Sequence, residues 1–303
     1  MWWVVVGVLL LASGCRSYAP PAVAGDEIVV AGKRFHIGTR VVTWMEAGGY
    51  NGYPKGRRMV PRPTSLRDAE RPRDETPEWT VRRLGKVVDQ VVLHYDACGL
   101  SKLCFEALHS RGLSAHFLID VDGTIYQTLD LQERALHATT SNDRSIGIEI
   151  ANIGAYPPDA AQPLERWYRR NEDVAGGVVL SVPPQIKDPR ILTPDFVGRP
   201  ARAEPVRGTI HGGSLLQYDL TPEQYAALTK LTAALGEIFP RLKSDIPRDA
   251  DGEPLMRKLP EKELKRYRGI LGHYHIQENK VDPGPAFQWE RFIAEVRRLR
   301  RSR

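Results

Sequence analysis

The sequence predicts an α/β fold, and three stretches carry that expectation. Val87-Val88-Asp89-Gln90-Val91-Val92-Leu93-His94 is an apolar, β-branched run of the kind that forms a buried strand. Asp122-Gly123 stands between two apolar runs, 115–121 and 124–127, which is a strong hairpin signal. Thr221-Pro222-Glu223-Gln224 opens a helix: Thr as N-cap, Pro at the first helical position and Gln placed for a capping box. Leu228, Leu231, Leu235 and Ile238 then recur at helical spacing.

The other elements follow in chain order. Residues 1–14 are apolar and too short to span a bilayer, which takes about 20 residues. With Ala12-Ser13-Gly14 before Cys15, they resemble a lipoprotein-type signal, 1–15, in which Cys15 is the lipidated residue. An exported, envelope-located protein anchored to a membrane is expected. Residues 16–86 form an extension: a Pro-rich tether, a β-hairpin over 27–42 turning at Ala31-Gly32, and an irregular surface segment from Pro54 to Pro77. The main domain is placed at 87–303. Ser101–Arg111 reads as a helix, and Ser145–Asn152 as a strand. The stretch 153–207 is Pro-rich, lacks periodicity and reads as an insertion. A charged helix over 260–268 and a final helix over 286–300 complete the chain.

The formal net charge of the 303 residues is +6, much of it in the closing run Arg297-Arg298-Leu299-Arg300-Arg301-Ser302-Arg303. Aromatic residues are not interleaved with it, so nucleic acid is not the expected partner. Cys98 and Cys104, six apart after a strand, are either a small disulfide loop or two buried thiols.

Chemistry concentrates near the C-terminus, in Gly272-His273-Tyr274-His275 and Asn279-Lys280-Val281-Asp282-Pro283-Gly284-Pro285. Pro-Gly-Pro cannot continue a helix or a ladder, so these side chains sit on a loop. Histidine and carboxylate suit zinc, but two ligands make a poor site. His94 stands at the C-terminal end of the first strand, where α/β sheets place their chemistry. In Ser145–Asn152 the isoleucines share one face, and Gly147, Glu149 and Ala151 share the other. An acid between two small residues reads as a carboxylate in a cleft with room for substrate. His211, in Ile210-His211-Gly212-Gly213, is a further candidate substrate contact.

With these residues assembled, the chain resembles the zinc-dependent N-acetylmuramoyl-L-alanine amidases of the peptidoglycan-recognition-protein fold, the type 2 amidases. The resemblance covers most of 87–296 and is carried by Ser145-Ile146-Gly147-Ile148-Glu149 and by Gly272-His273 with Lys280-Val281-Asp282-Pro283-Gly284-Pro285-Ala286-Phe287-Gln288-Trp289. It implies a central mixed β-sheet flanked by helices. It implies that His94, His273 and Asp282 hold a zinc ion, that Glu149 is the general base and that Lys280 stabilises the oxyanion. It selects His273 over His275, because the family's ligand follows Gly. His137 and His116 become substrate-binding candidates. The spacing of Cys98 and Cys104 is similar to a disulfide of animal peptidoglycan recognition proteins. Peptidoglycan or muropeptides are the implied partners. The alternatives are a non-catalytic peptidoglycan-binding protein on the same fold and a hydrolase acting within the stem peptide.

Overall fold

The computed structural model describes residues 25–53, 59, 62–63, 79–174 and 176–302. The signal stretch and Cys15 lie outside them. The elements are β1 (Glu27–Val30), β2 (Lys33–His36), β3 (Val41–Thr43), α1 (Val81–Leu84), β4 (Gln90–Tyr95), α2 (Ser101–Ser110), β5 (Phe117–Ile119), β6 (Ile125–Gln127) and β7 (Ser145–Ile150). There follow α3 (Gln162–Trp167), β8 (Tyr168–Arg170), β9 (Val178–Leu180), β10 (Val206–Ile210), β11 (Gly213–Gln217), α4 (Pro222–Ile238), α5 (Glu261–Leu264), β12 (Gly269–Gly272) and α6 (Trp289–Ser302). No helix among the described residues is long and apolar enough to cross a membrane.

Six strands form one mixed sheet in the order β12-β4-β7-β5-β6-β3. β12, β4, β7 and β5 run parallel, β6 is antiparallel to β5, and β3 is parallel to β6. The expected mixed central sheet with flanking helices is therefore what the chain forms. The N-terminal extension is part of it, since β3 is the edge strand beyond β6. β1 and β2 are the predicted hairpin, with Ala31 and Gly32 both at positive φ in the turn.

Alternation along the strands separates two faces. Val91, Leu93, Ile146, Ile148 and Ile150 point into the main core, with Leu228, Leu231 and Leu235 of α4 and Phe292 and Val296 of α6. The predicted capping box of α4 is present: Gln224 N–H donates to Thr221 Oγ1 at 3.1 Å and Thr221 N–H to Gln224 Oε1 at 2.9 Å. On the opposite face, Leu118 and Tyr126 pack with Cys104.

Two expectations need correction. The insertion, read as lacking periodicity and lying over the surface, holds α3, β8 and β9, with Trp167, Tyr168 and Val178 buried together with Leu100, Val121 and Ala151. The segment 54–77 is not all surface either. Arg62 is 1% exposed. Its guanidinium donates to the carbonyls of Leu131, Asn142, Asp143 and Ser145 at 2.8–3.2 Å.

Candidate active site

The parallel arrangement of β12, β4 and β7 brings their C-terminal ends to one edge of the sheet. His94 of β4 pairs directly with Glu149 of β7, so both side chains leave the same face. β12 ends at Gly272, opposite Leu93, which puts His273 beside His94. Their ring centroids are 4.5 Å apart. The loop after His273 then returns Asp282 to the pair. Its Oδ2 lies 2.7 Å from His94 Nδ1 and 3.0 Å from His273 Nδ1. One ligand atom from each of the three lies within 4.8 Å of the others, and all three residues are buried.

The surroundings of this cluster decide whether it suits a metal. A ligating imidazole must present an unprotonated nitrogen, and its other nitrogen is normally held by a partner. His273 Nε2 lies 2.7 Å from Gln277 Oε1, so it donates there and leaves Nδ1 facing Asp282. His94 Nε2 lies 3.0 Å from His137 Nδ1, and His137 Nε2 lies 3.2 Å from Ser145 Oγ. Each ring is thus held from behind. Burial, with the charge of His273, pushes His94 down to about 4 against the opposing pull of Asp282, so the ring is neutral at neutral pH. Burial alone would raise Asp282; hydrogen bonds from His273 and His94, and their charges, outweigh it and hold the carboxyl well below the usual range. Two imidazole nitrogens and one carboxylate are a donor set that fits zinc.

A cleft of about 450 Å³ opens over the cluster. His94, His273 and Asp282 line it together with Glu149, Lys280, Tyr95 and Arg111. Burial, then the charge of Asp282, raises Glu149 well above an ordinary glutamate, and Lys280 pulls it back. A carboxyl so placed holds a proton more readily than an ordinary glutamate, which suits it to proton exchange in the cleft.

The remaining candidates are placed differently. Gly147 leaves no room for substrate, because a Cβ there would lie 2.6 Å from the His137 ring. His137 therefore fills the space that the small residue provides; it stands behind His94 and also lines the cleft. His116 is fully buried, accepts the Gly147 N–H at Nδ1 and lies 2.8 Å from Arg62 through Nε2. It does not reach the cleft, so the expectation of a substrate contact is corrected to a structural role. His275 accepts the Gly272 N–H and donates to the Leu255 carbonyl, a structural role. His211 contacts the carbonyl of Lys280 and does not line the cleft. Cys98 and Cys104 are free thiols, which corrects the disulfide expectation. Asp96 accepts the N–H groups of Cys98 and Gly99 and shapes the turn at Cys98, while Cys104 is buried on the inner face of α2. Burial pushes Cys98 up to about 12 and Cys104 well above the usual value, so neither is a ready thiolate. Gln277 was missed in the sequence; its signal was the spacing of four from His273.

Residues 84–171 match the family model described as N-acetylmuramoyl-L-alanine amidase. The match takes in His94 and Glu149 and ends before His273, Lys280 and Asp282. Among solved structures the chain is similar to AMPDH3 from Pseudomonas aeruginosa, in complex with anhydromuramic pentapeptide, at 19% identity and a TM-score of 0.39, over 75% of this chain and 65% of that one. It is similar to AmiD from E. coli, an N-acetylmuramyl-L-alanine amidase in complex with an anhydro-N-acetylmuramic acid peptide, at 17% identity and 0.38, over 75% and 62%. For an AmpD protein the values are 19% and 0.34, over 82% and 98%. The chain thus spans less than two thirds of AMPDH3 and of AmiD. No curated protein matches.

Proposed function

We propose that the protein is a zinc hydrolase that cleaves the amide bond between the lactyl carbonyl of N-acetylmuramic acid and the L-alanine of the peptidoglycan stem peptide. The observation that carries this reading is the convergence of His94, His273 and Asp282 under a cleft that Glu149 and Lys280 also line. The family match over 84–171 supports it.

His94 and His273, through Nδ1, and Asp282, through a carboxylate oxygen, would hold the ion. Bound zinc polarises a carbonyl oxygen and acidifies water. The chain's own residues supply the rest. Glu149 takes the proton of the attacking water at its carboxylate and delivers it to the departing L-alanine nitrogen. Lys280 sets a positive charge where the scissile oxygen becomes negative. His137 and Gln277 keep the two imidazoles turned with Nδ1 inward. The Ala12–Cys15 stretch supports export and a lipid anchor at Cys15 in the cell envelope, with peptidoglycan or its soluble muropeptides as partner.

The test is to incubate zinc-loaded protein with purified peptidoglycan and with soluble muropeptides and to identify products by mass spectrometry. Stem peptides with a new N-terminal L-alanine should appear, vanish with chelator and return with zinc. Binding without release would point to a peptidoglycan-binding protein. Cleavage inside the stem would assign a different hydrolase. Mass analysis of the mature N-terminus tests the anchor, and an unmodified Cys15 in a wholly soluble mature protein would refute it.

A further inference from the structure

The loop that carries Lys280 and Asp282 has little regular structure of its own, yet both side chains must be held to a fraction of an ångström to act together. The β10–β11 hairpin, at the end of the insertion, lies against it. Its turn is Ile210-His211-Gly212-Gly213, with His211 at φ 51° and Gly212 at φ 80°. Two positive φ values match the type I′ turn that two-residue hairpins favour, in which Asn or Gly is the usual first residue. Histidine there is uncommon, and a side chain held in that region is often doing something specific. His211 Nε2 lies 3.0 Å from the main-chain carbonyl of Lys280, while its N–H donates to the Met256 carbonyl at 3.1 Å.

The far end of the same hairpin grips the loop a second time. Gln217, 1% exposed, donates from Nε2 to the Pro283 carbonyl at 3.0 Å and accepts at Oε1 from the Ala286 N–H at 3.0 Å. A Cβ on Gly284 would lie 2.0 Å from Gln217 Oε1, so the amide is pressed onto the backbone between its two partners. Gln217 Nε2 also lies 3.2 Å from Asn152 Oδ1, just beyond β7. The loop is therefore bracketed on both sides of Asp282, and one of the two grips is tied to the strand that bears Glu149.

We propose that the β10–β11 hairpin is a positioning device for the metal-binding loop, with His211 and Gln217 fixing the backbone of 280–286 so that Asp282 meets the two histidines and Lys280 faces the cleft. The proposal rests on the amidase reading for the purpose of the loop, but not for its mechanics. Neither residue touches substrate; both act through the main chain of others.

The experiment uses the whole protein with His211→Asn and Gln217→Glu. Asparagine tolerates the left-handed conformation but does not reach the Lys280 carbonyl, so the turn survives and only the tether is cut. Two readouts are taken: amide hydrogen exchange in metal-free protein and zinc affinity by competition with a chromophoric chelator. Exchange across 279–286 should accelerate at least about tenfold while the α4 amides stay as in the parent. The zinc dissociation constant should rise by about 10- to 100-fold. Unchanged loop exchange in both variants, or acceleration spread evenly through α4, would overturn the proposal. A parent that binds no zinc would sink the metal reading alone, since the exchange measurement still decides whether the hairpin holds the loop.

Discussion

His116 and His137 both touch Gly147, and their ring centroids are 6.1 Å apart. Both are held neutral by burial, each well below an ordinary histidine. From there they lead in opposite directions. His116 leads to Arg62, a buried cation that donates to backbone carbonyls. His137 leads to His94, and through it to Asp282, His273 and open space. The guanidinium beside His116 excludes a second positive charge and gives a cation nothing to bind. The carboxylate among the other rings invites one. Burial of a histidine therefore says little about function; the sign of the charge it faces and the access of solvent say more.

That contrast can be broken most forcefully at Asp282. Asp282→Asn should abolish stoichiometric zinc retention and take amide hydrolysis below detection while the far-UV circular dichroism is kept. Retained metal by elemental analysis would remove Asp282 from the ligand set. Glu149→Gln should keep zinc but slow turnover by about 10²- to 10⁴-fold, as expected for a lost general base. Steady-state kinetics on a soluble muropeptide measure this, and a loss confined to KM would contradict the role.

On the other side of Gly147, Arg62→Met leaves several buried carbonyls without donors. Unfolding should become easier by about 3 kcal/mol, read by denaturant titration, with zinc affinity unchanged. His137→Ala should show the reverse pattern: a small change in stability and zinc affinity weaker by about 10- to 100-fold. If Arg62→Met weakened zinc as much as His137→Ala, the two clusters would be one functional unit and the comparison would fail.

The smallest effect concerns pH. Burial raises the folded-state pKa of Glu149, so the metal-free parent loses stability as pH climbs above the ordinary glutamate range, where the unfolded chain ionises and the folded one resists. Glu149→Gln lacks that loss. Its melting temperature relative to the parent should thus be higher at pH 7 than at pH 4, and an equal difference at both would show that Glu149 is not held protonated.

The sequence by itself determined a good deal. Local chemistry wrote β4, β7, the β1–β2 and β5–β6 hairpins and α4 with its capping box, because alternation, turn residues and caps act over a few residues. It also marked out His94, Glu149 and the C-terminal stretch with His273, His275, Lys280 and Asp282, because a ligand type at a strand end or beside a Pro-Gly-Pro turn is visible without a fold; the family resemblance chose His273 over His275 and gave Lys280 its role. Only tertiary structure decided the rest. Which buried histidine faces an arginine and which a carboxylate depends on residues up to 188 positions apart. Arg62 looked like part of a solvated Pro- and Arg-rich stretch, and only the carbonyls of 131–145 make its burial possible. The glycine in Ser145–Glu149 looked like space for substrate and is space for His137. Spacing invited a disulfide, but the turn at Asp96 and the packing of the inner face of α2 leave two separate thiols. Contacts between distant segments are set by how the sheet stacks its strand ends, and no local pattern in the chain encodes that.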